Sequence, residues 1–163
     1  MTIQVATIAI DPGVHGLGLS LWDRSQRLIL ACYVEGDRSA KHECVKTTGP
    51  LQGVLLKYDI HPAAHLVVET PQIYRASQQK GSQKDITRLT LTVGAVVQSC
   101  LPYVDRITMP YPRQWKGQVP KHIAIERYKV TLTEDERACV VLPGRAKHRT
   151  DVWDAVGLGL WAR

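Results

Sequence analysis

Two short apolar runs in the first half of the chain end in a carboxylate that is followed closely by proline. Residues 6–10 lead to Asp11 and Pro12, and residues 66–68 lead to Glu69, Thr70 and Pro71. Runs that are apolar or small on both alternating faces are typical of buried strands. Proline stops the pairing because it has no N–H to donate. The pattern therefore predicts two buried strands, each delivering one acid at its C-terminal end.

Alternation predicts two more strands between these runs. Residues 17–22 alternate between leucine and other residue types, and an extended run over 28–34 follows a polar turn at 23–26. The glycines of segment 13–18 suggest a phosphate-binding loop, but a dinucleotide fingerprint requires a helix directly after that loop. Because a strand follows instead, the sequence favours a three-strand antiparallel meander.

Apolar residues at helical spacing predict most of the remaining elements. A helix is expected from Pro50 until His61-Pro62 stops it, and a long helix from Asp85 to Leu101. A capping box at Thr133 opens a short helix. The other expected elements are a strand over 105–109, a loop over 110–121 shaped by prolines and a glycine, and helices over 119–130 and 150–161. The pattern is that of one α/β domain over residues 1–163.

Composition and charge narrow the class of protein. Of the 163 residues, 44% are apolar and 22% are charged, which is ordinary for a globular protein, and the net charge of +6 favours a polyanionic partner. No apolar run approaches the roughly 18 residues of a membrane span. The four cysteines form no C-x-x-C pair, which favours free thiols. We therefore expect a cytoplasmic protein with no membrane partner.

Two polar segments are candidates for contact with nucleic acid. Residues 71–88 hold four basic residues, one acid and one aromatic, and residues 110–121 place three cations around Trp115. An aromatic set among Gln, Lys and Arg is typical of loops that stack on bases and touch phosphates, although an unliganded surface loop has a similar composition. The candidate DNA contacts are Tyr74, Arg75, Lys80, Lys84, Arg88, Arg113, Lys116 and Lys121.

Two further acids lie on the last predicted helix. Asp151 and Asp154 are three residues apart and share one face, where like charges disfavour an isolated helix. Compensation of the helix dipole is an alternative that suits Asp151 better than Asp154. Both acids can meet Asp11 and Glu69 if the first strand lies beside the 66–68 strand and the helix packs over both.

Four converging carboxylates have a chemical consequence. They repel one another unless cations neutralise them. Oxygen ligands of this kind suit Mg²⁺, with Mn²⁺ as a substitute. Two such ions about 4 Å apart activate a water and stabilise the leaving oxygen of a phosphodiester. A basic protein with this site is expected to cut nucleic acid and to need no small-molecule cofactor.

The order of these elements resembles the ribonuclease H-like superfamily and, within it, the RuvC family of Holliday junction resolvases. The matching segments are residues 8–13, 67–69 and 151–155, and Trp115-Lys116 with Lys121. The resemblance implies a five-stranded mixed sheet, with a three-strand antiparallel meander and two parallel strands, flanked by helices. It implies a structure-selective endonuclease of a bacterial or phage-infected cell that nicks opposing strands of four-way DNA junctions.

The resemblance also implies roles for single residues and an assembly. Asp11, Glu69, Asp151 and Asp154 would form a tetrad for two Mg²⁺ ions, with Lys116 and Lys121 at the scissile phosphate or the DNA backbone. The protein would be a two-fold homodimer. The 85–101 helix is our candidate interface, because Leu91 and Val96 lie outside its core-facing stripe.

Two residues depart from the family pattern or stand beside it. The family has an aromatic wedge soon after the glutamate, whereas here Pro71 intervenes and Tyr74 is the nearest aromatic. His148, three residues before Asp151, is a further candidate for contact with a metal or phosphate.

Three other functions compete with junction resolution. A nuclease of the same fold could act on a flap, a nicked duplex or an RNA–DNA hybrid. An actin-like sugar kinase also has Asp-x-Gly after its first strand, but that fold duplicates the domain and 163 residues are too few. A non-catalytic DNA-architectural protein would not need four carboxylates.

Overall fold

The structure is a computed structural model that describes residues 4–72 and 82–163. The strands are β1 Gln4–Asp11, β2 Gly16–Asp23, β3 Leu28–Glu35, β4 Asp59–Val68, β5 Arg106–Thr108 and β6 Val140–Val141. The helices are α1 Thr48–Leu55, α2 Gln83–Cys100, α3 Pro112–Trp115, α4 Lys121–Thr131, α5 Glu134–Ala138 and α6 Ala146–Trp161. Within these ranges, none of the helices combines the length and the apolar character needed to cross a membrane.

The described strands form one mixed sheet in the order β5-β4-β1-β2-β3-β6. The three N-terminal strands make the antiparallel meander, and β4 and β5 add to it in parallel. The predicted α/β class and mixed sheet are therefore confirmed. A parallel sixth strand, β6, also pairs with β3, and sequence pattern did not reveal it because it is only two residues long.

Alternate residues of the central strands pack against different helices on the two faces of the sheet. Ile8 and Ile10 of β1 pack in a core that is covered by α1 and α2. Ala9, between them, packs on the other face against Leu158 of α6. Successive side chains of a strand point to opposite faces, so Asp11 follows Ala9 toward the α6 layer.

A chain of buried hydrogen bonds ties α6 to the sheet. Trp22 Nε1 donates to Ser20 Oγ at 2.8 Å, and Ser20 Oγ donates to the carbonyl oxygen of Ala155 at 2.8 Å. That carbonyl belongs to the middle of α6, directly after Asp154. The contact sets the height at which α6 crosses the sheet and hence the position of its two acids.

Several boundaries differ from the sequence prediction for local reasons. Helix α1 ends at Leu55, and His61-Pro62 lies inside β4 rather than at a helix end. The strand tolerates Pro62 because the β1–β4 register is irregular there, between Val5 and Thr7. The segment predicted as a shaped loop contains the one-turn helix α3, with Pro112 at its first position.

Two differences affect the interpretation of function. Helix α6 begins at Ala146, four residues earlier than predicted, so Asp151 lies in its second turn. Compensation of the helix dipole fades beyond the first turn and no longer accounts for Asp151. Val96, expected outside the core-facing stripe of α2, is fully buried, whereas Leu91 is 58% exposed.

Candidate active site

Asp11 and Glu69 lie side by side at one edge of the sheet. Their strands are parallel neighbours, with Ile10 opposite Val68, and the Glu69 N–H donates to the Ile10 carbonyl at 3.1 Å. Glu69 follows the same alternation as Val67, which packs with Ala9 in the α6 layer. Both carboxylates therefore face α6, and β1 lies beside β4, which is the arrangement that the predicted convergence of the acids depends on.

Helix α6 brings Asp151 and Asp154 to the same place. Gly18 is the register partner of Asp11, and a Cβ added to Gly18 would collide with the backbone carbonyl of Asp151. The absence of a side chain at Gly18 thus lets the helix backbone rest directly on β2. Asp154 points inward, with its side chain only 5% exposed.

The electrostatics show that the four acids act on one another. Burial raises the pKa of Asp11 well above its usual value, and repulsion by Glu69, Asp154 and Asp151 raises it further. Burial also raises the pKa of Glu69, although Lys116 and the Trp115 hydrogen bond oppose the rise. Burial is thus the largest cause of both shifts, and the added repulsion shows that the carboxylates lie close enough to disfavour one another's charged forms.

Two lysines partly neutralise this cluster. Lys116 Nζ lies 3.4 Å from Glu69 Oε2 and 3.7 Å from Asp154 Oδ2, and Lys121 Nζ lies 2.8 Å from Asp154 Oδ2. Burial lowers the pKa of Lys116, but Asp154, Glu69 and Asp11 outweigh it and raise the pKa overall. Two ammonium groups face four carboxylates, so the site retains a demand for positive charge.

The donor set fits a divalent cation by its chemistry. Among the described residues, no three acid, histidine or cysteine side chains stand in an arrangement that could hold a metal as they are. In this arrangement the ammonium groups of Lys116 and Lys121 lie against Glu69 Oε2 and Asp154 Oδ2. Carboxylate oxygens in charge excess are nevertheless the kind of ligand that suits Mg²⁺ or Mn²⁺.

Trp115 holds one of the carboxylates in place. Its indole N–H donates to Glu69 Oε2 at 2.7 Å, and its ring packs with Ala9, Val67 and Leu158. Sequence reasoning placed Trp115 among cations but assigned it no role. A partner 46 positions away in the chain leaves no local signal.

His148 lies at the border of the cluster. Its Nδ1 is 3.4 Å from Asp151 Oδ2, and its ring stacks on Tyr33 with centroids 4.2 Å apart. The sequence indicated His148 by its position three residues before Asp151. It did not indicate Tyr33, which is a regular residue of β3.

Similar folds occur among solved structures of junction-resolving enzymes. A structure titled as RuvC from T. thermophilus in complex with a Holliday junction substrate matches with a TM-score of 0.60 and 18% identity, covering 95% of this chain and 90% of that one. A second T. thermophilus RuvC structure gives a TM-score of 0.59, again at 18% identity, covering 95% of this chain and 91% of the other. The chain has the RuvC fold.

A more distant structure supports the same architecture. The yeast mitochondrial Holliday junction resolvase Ydc2 matches with a TM-score of 0.55 at 9% identity, covering 98% of this chain and 81% of that chain. No protein-family model matches the sequence, and no curated protein matches it significantly. The similarity is thus one of three-dimensional arrangement, which the RuvC fold retains at very low identity.

The remaining residues that the sequence predicted to contact DNA are not part of the carboxylate cluster. Lys84 is exposed in the first turn of α2, and Arg88 pairs with Glu43 at 3.0 Å. Arg113 is exposed on α3. Tyr74, Arg75 and Lys80 lie outside the described residues, so their predicted roles stay predictions.

Proposed function

We propose that this protein is a metal-dependent endonuclease that resolves four-way DNA junctions by paired nicks on opposing strands. One observation carries the proposal. Asp11, Glu69, Asp151 and Asp154 come from three separate segments of a RuvC fold and meet with two lysines on one face of the sheet. The net charge of +6 favours the polyanionic substrate.

The carboxylates and the lysines of the cluster have different roles in this proposal. The four carboxylates are the ligands that would hold Mg²⁺ ions. Bound divalent ions supply an activated water and stabilisation of the leaving oxygen. Lys116 and Lys121 lie within reach of the same oxygens, so a phosphate at the cluster would meet both ammonium groups and gain charge stabilisation in the transition state. Trp115 orients Glu69 through the hydrogen bond that its indole N–H donates to Oε2.

Paired nicks favour a homodimer. A four-way junction presents two equivalent scissile phosphates related by a two-fold axis, whereas one chain supplies one carboxylate set. An isologous pair places two identical sites in the matching symmetry. The exposed Leu91 on α2 is our candidate centre of that interface.

The test is digestion of a synthetic immobile four-way junction in Mg²⁺, with nicks mapped on all four strands. A flap, a nicked duplex and an RNA–DNA hybrid are digested in parallel. We expect symmetric nicks in two opposing strands of the junction and far slower cutting of the other substrates. Preferred cutting of a flap or hybrid would instead identify a nuclease of the same fold with another target.

Two variants separate cutting from binding in this test. Asp11→Asn and Asp154→Asn are each expected to abolish nicking while the junction still binds, because affinity comes mainly from Lys and Arg on phosphates. Full cleavage by either variant in Mg²⁺ would contradict the assignment of the carboxylate cluster.

A further inference from the structure

A second concave site lies beside the carboxylate cluster, between the end of β3 and the start of α6. It is an open cavity of about 310 Å³, at the lower end of the range of roughly 300–1,000 Å³ found for ligand pockets. None of the four clustered carboxylates lines it. Its walls are formed by Tyr33 and His148 together with the charged residues discussed below.

The floor and rim of this cavity, which we call the β3–α6 pocket, are built by specific contacts. Tyr33 lies across Gly16, where an added Cβ would collide with its hydroxyl, and it stacks on His148 at 4.2 Å. The Arg149 guanidinium donates to the carbonyl oxygens of Pro143 and Gly144 at 3.0 and 3.4 Å. These bonds hold the turn that presents Arg145, so the pocket has a defined shape.

The pocket is strongly basic. Arg38, Lys46, Arg145 and Lys147 line it, and among its described lining residues Glu35 alone is acidic. Glu35 pairs with Arg38, which lowers the pKa of that carboxyl, and the charge of Arg145 adds to this effect. Four cations nevertheless line the pocket against one acid, and two of these cations are Arg145 and Lys147. They also flank the N-terminus of α6, whose dipole favours an anion.

His148 connects the pocket to the carboxylate cluster. One face of its ring is stacked on Tyr33, and its Nδ1 lies 3.4 Å from Asp151 Oδ2. An anion in the pocket would thus sit one side chain away from a carboxylate of the cluster. A DNA strand carries one anionic phosphate per nucleotide along its backbone, so a strand cut at the cluster has further phosphates on either side of the nick.

We propose that the β3–α6 pocket binds a backbone phosphate of the DNA strand that is being cut, close to the scissile phosphodiester. Arg145 and Lys147 supply the charge, and the Tyr33–His148 stack forms the wall between this phosphate and the cluster. The inference rests on the proposed function and adds to it a phosphate subsite, which fixes the strand's register relative to the carboxylates.

The chain offers a matched control. Arg145 and Lys147 are exposed cations beside the cluster, whereas Arg24 and Arg27 are exposed cations in the β2–β3 turn. Strand β2 is antiparallel to β1, so this turn lies at the edge of the sheet opposite Asp11. The double variants R145A/K147A and R24A/R27A remove the same formal charge from opposite ends of the molecule.

The experiment measures junction binding in the D154N background, where DNA is expected to bind without being cut. Junctions carry one neutral methylphosphonate at each of several positions around the mapped nick. A methylphosphonate at one particular position should weaken junction binding by the D154N protein. The D154N protein that also carries R145A/K147A should bind that junction and the unmodified junction equally well. For R145A/K147A, the slope of the logarithm of the binding constant against the logarithm of the salt concentration should also be shallower, by about 0.9 for each phosphate that the variant no longer neutralises. R24A/R27A should keep the position-specific sensitivity.

The outcomes separate this inference from the proposed function. If the junction is nicked by the wild type, but R145A/K147A and R24A/R27A respond alike to every methylphosphonate, the pocket is not a phosphate subsite. If the wild type neither binds nor nicks the junction, the proposed function and the inference both fall. Matching circular dichroism and melting temperatures of the two double variants exclude misfolding as the cause.

Discussion

The indole N–H of Trp115 donates a 2.7 Å hydrogen bond to Oε2 of Glu69. The same carboxylate oxygen lies 3.4 Å from Lys116 Nζ, and that ammonium sits 4.8 Å from the centroid of the Trp115 ring. A buried, rigid aromatic ring thus holds both an acid of the cluster and the lysine that partly neutralises it. The orientation of Glu69 depends on a residue that does not itself belong to the acidic set.

Replacement of Trp115 by Phe tests this relationship. The change keeps most of the ring packing but removes the donor, and a hydrogen bond to a charged group contributes about 1.5–3 kcal/mol. We expect single-turnover nicking to slow by roughly tenfold or more, with junction affinity unchanged. Trp153→Phe is the control. Trp153 is a residue of α6 that is about as buried as Trp115 but packs in a different cluster, with Trp22 and Leu28. Equal rates for the two variants would show that the Trp115 bond does not position Glu69.

Lys116 and Lys121 should affect the rate more than the affinity. Each contacts carboxylate oxygens of the cluster, where a scissile phosphate would lie, so Lys→Ala at either removes transition-state stabilisation on the order of 10²-fold. Rate and affinity are measured separately by single-turnover cleavage and by binding in the Asp154→Asn background. Lys57→Ala, at an exposed site, is the control. Unchanged rates with lowered affinity would assign both lysines to general DNA binding.

Gly18 should be intolerant of a side chain. A Cβ there would collide with the carbonyl oxygen of Asp151, so Gly18→Ala pushes α6 away from β2 and costs about 1–3 kcal/mol of stability. We also expect loss of nicking, since Asp151 moves with the helix backbone. Gly94→Ala in α2 meets nothing within 4 Å and should stabilise the protein by up to about 1 kcal/mol. Chemical denaturation of both variants measures the difference; a stable, active Gly18→Ala protein would contradict the packing.

The free energy of unfolding should decrease at acid pH because Glu136 becomes protonated. Burial raises its pKa, but hydrogen bonds from the N–H groups of Thr133 and Leu28 and the charge of Arg163 outweigh this and lower the pKa overall. A carboxyl with a depressed folded-state pKa adds stability above its ordinary value of 4.5, and this stability is lost as the pH falls through the folded-state pKa.

Glu136→Gln removes that titration. The variant should be less stable at pH 7 by about 1–3 kcal/mol, and the difference from the wild type should shrink below pH 4.5. Urea unfolding across this pH range gives the comparison. Glu134→Gln is the control, because Glu134 is exposed on the same short helix. A difference that stays constant with pH would contradict the depressed pKa of Glu136.

Leu91 should control assembly if α2 forms the dimer interface. The side chain is 58% exposed on a helix whose Val93 and Val96 face the core, so Leu91→Glu leaves the fold intact and places a charge in the interface. We expect monomers that bind junctions weakly and no longer make paired nicks, with sedimentation at micromolar concentration as the measurement. Leu56→Glu, at a leucine that is 72% exposed, is the control. A wild-type monomer that resolves junctions symmetrically would refute the dimer.

Short-range pattern sufficed for the elements that carry the acids. The apolar runs before Asp11 and Glu69, and the prolines after them, mark strand ends within a few residues, so both positions were predictable. The i, i+3 spacing likewise placed Asp151 and Asp154 on one helical face. Weak local signals failed at the short elements: β6 has only two residues, and Pro62 lies inside a strand at an irregular register.

Strand and helix periodicities are local properties, so the amino-acid pattern was enough to identify the four acids and the elements that carry them. The contacts of those carboxylates depend instead on how the elements pack together. The bond from Trp115 to Glu69, the pairing of Lys121 with Asp154 and the stack of Tyr33 on His148 join residues from separate elements. Such contacts depend on the position at which α6 packs on β2, at Gly18 and Ser20. That position is set by the shape complementarity and hydrogen bonds of the whole layer, which a local sequence pattern does not encode.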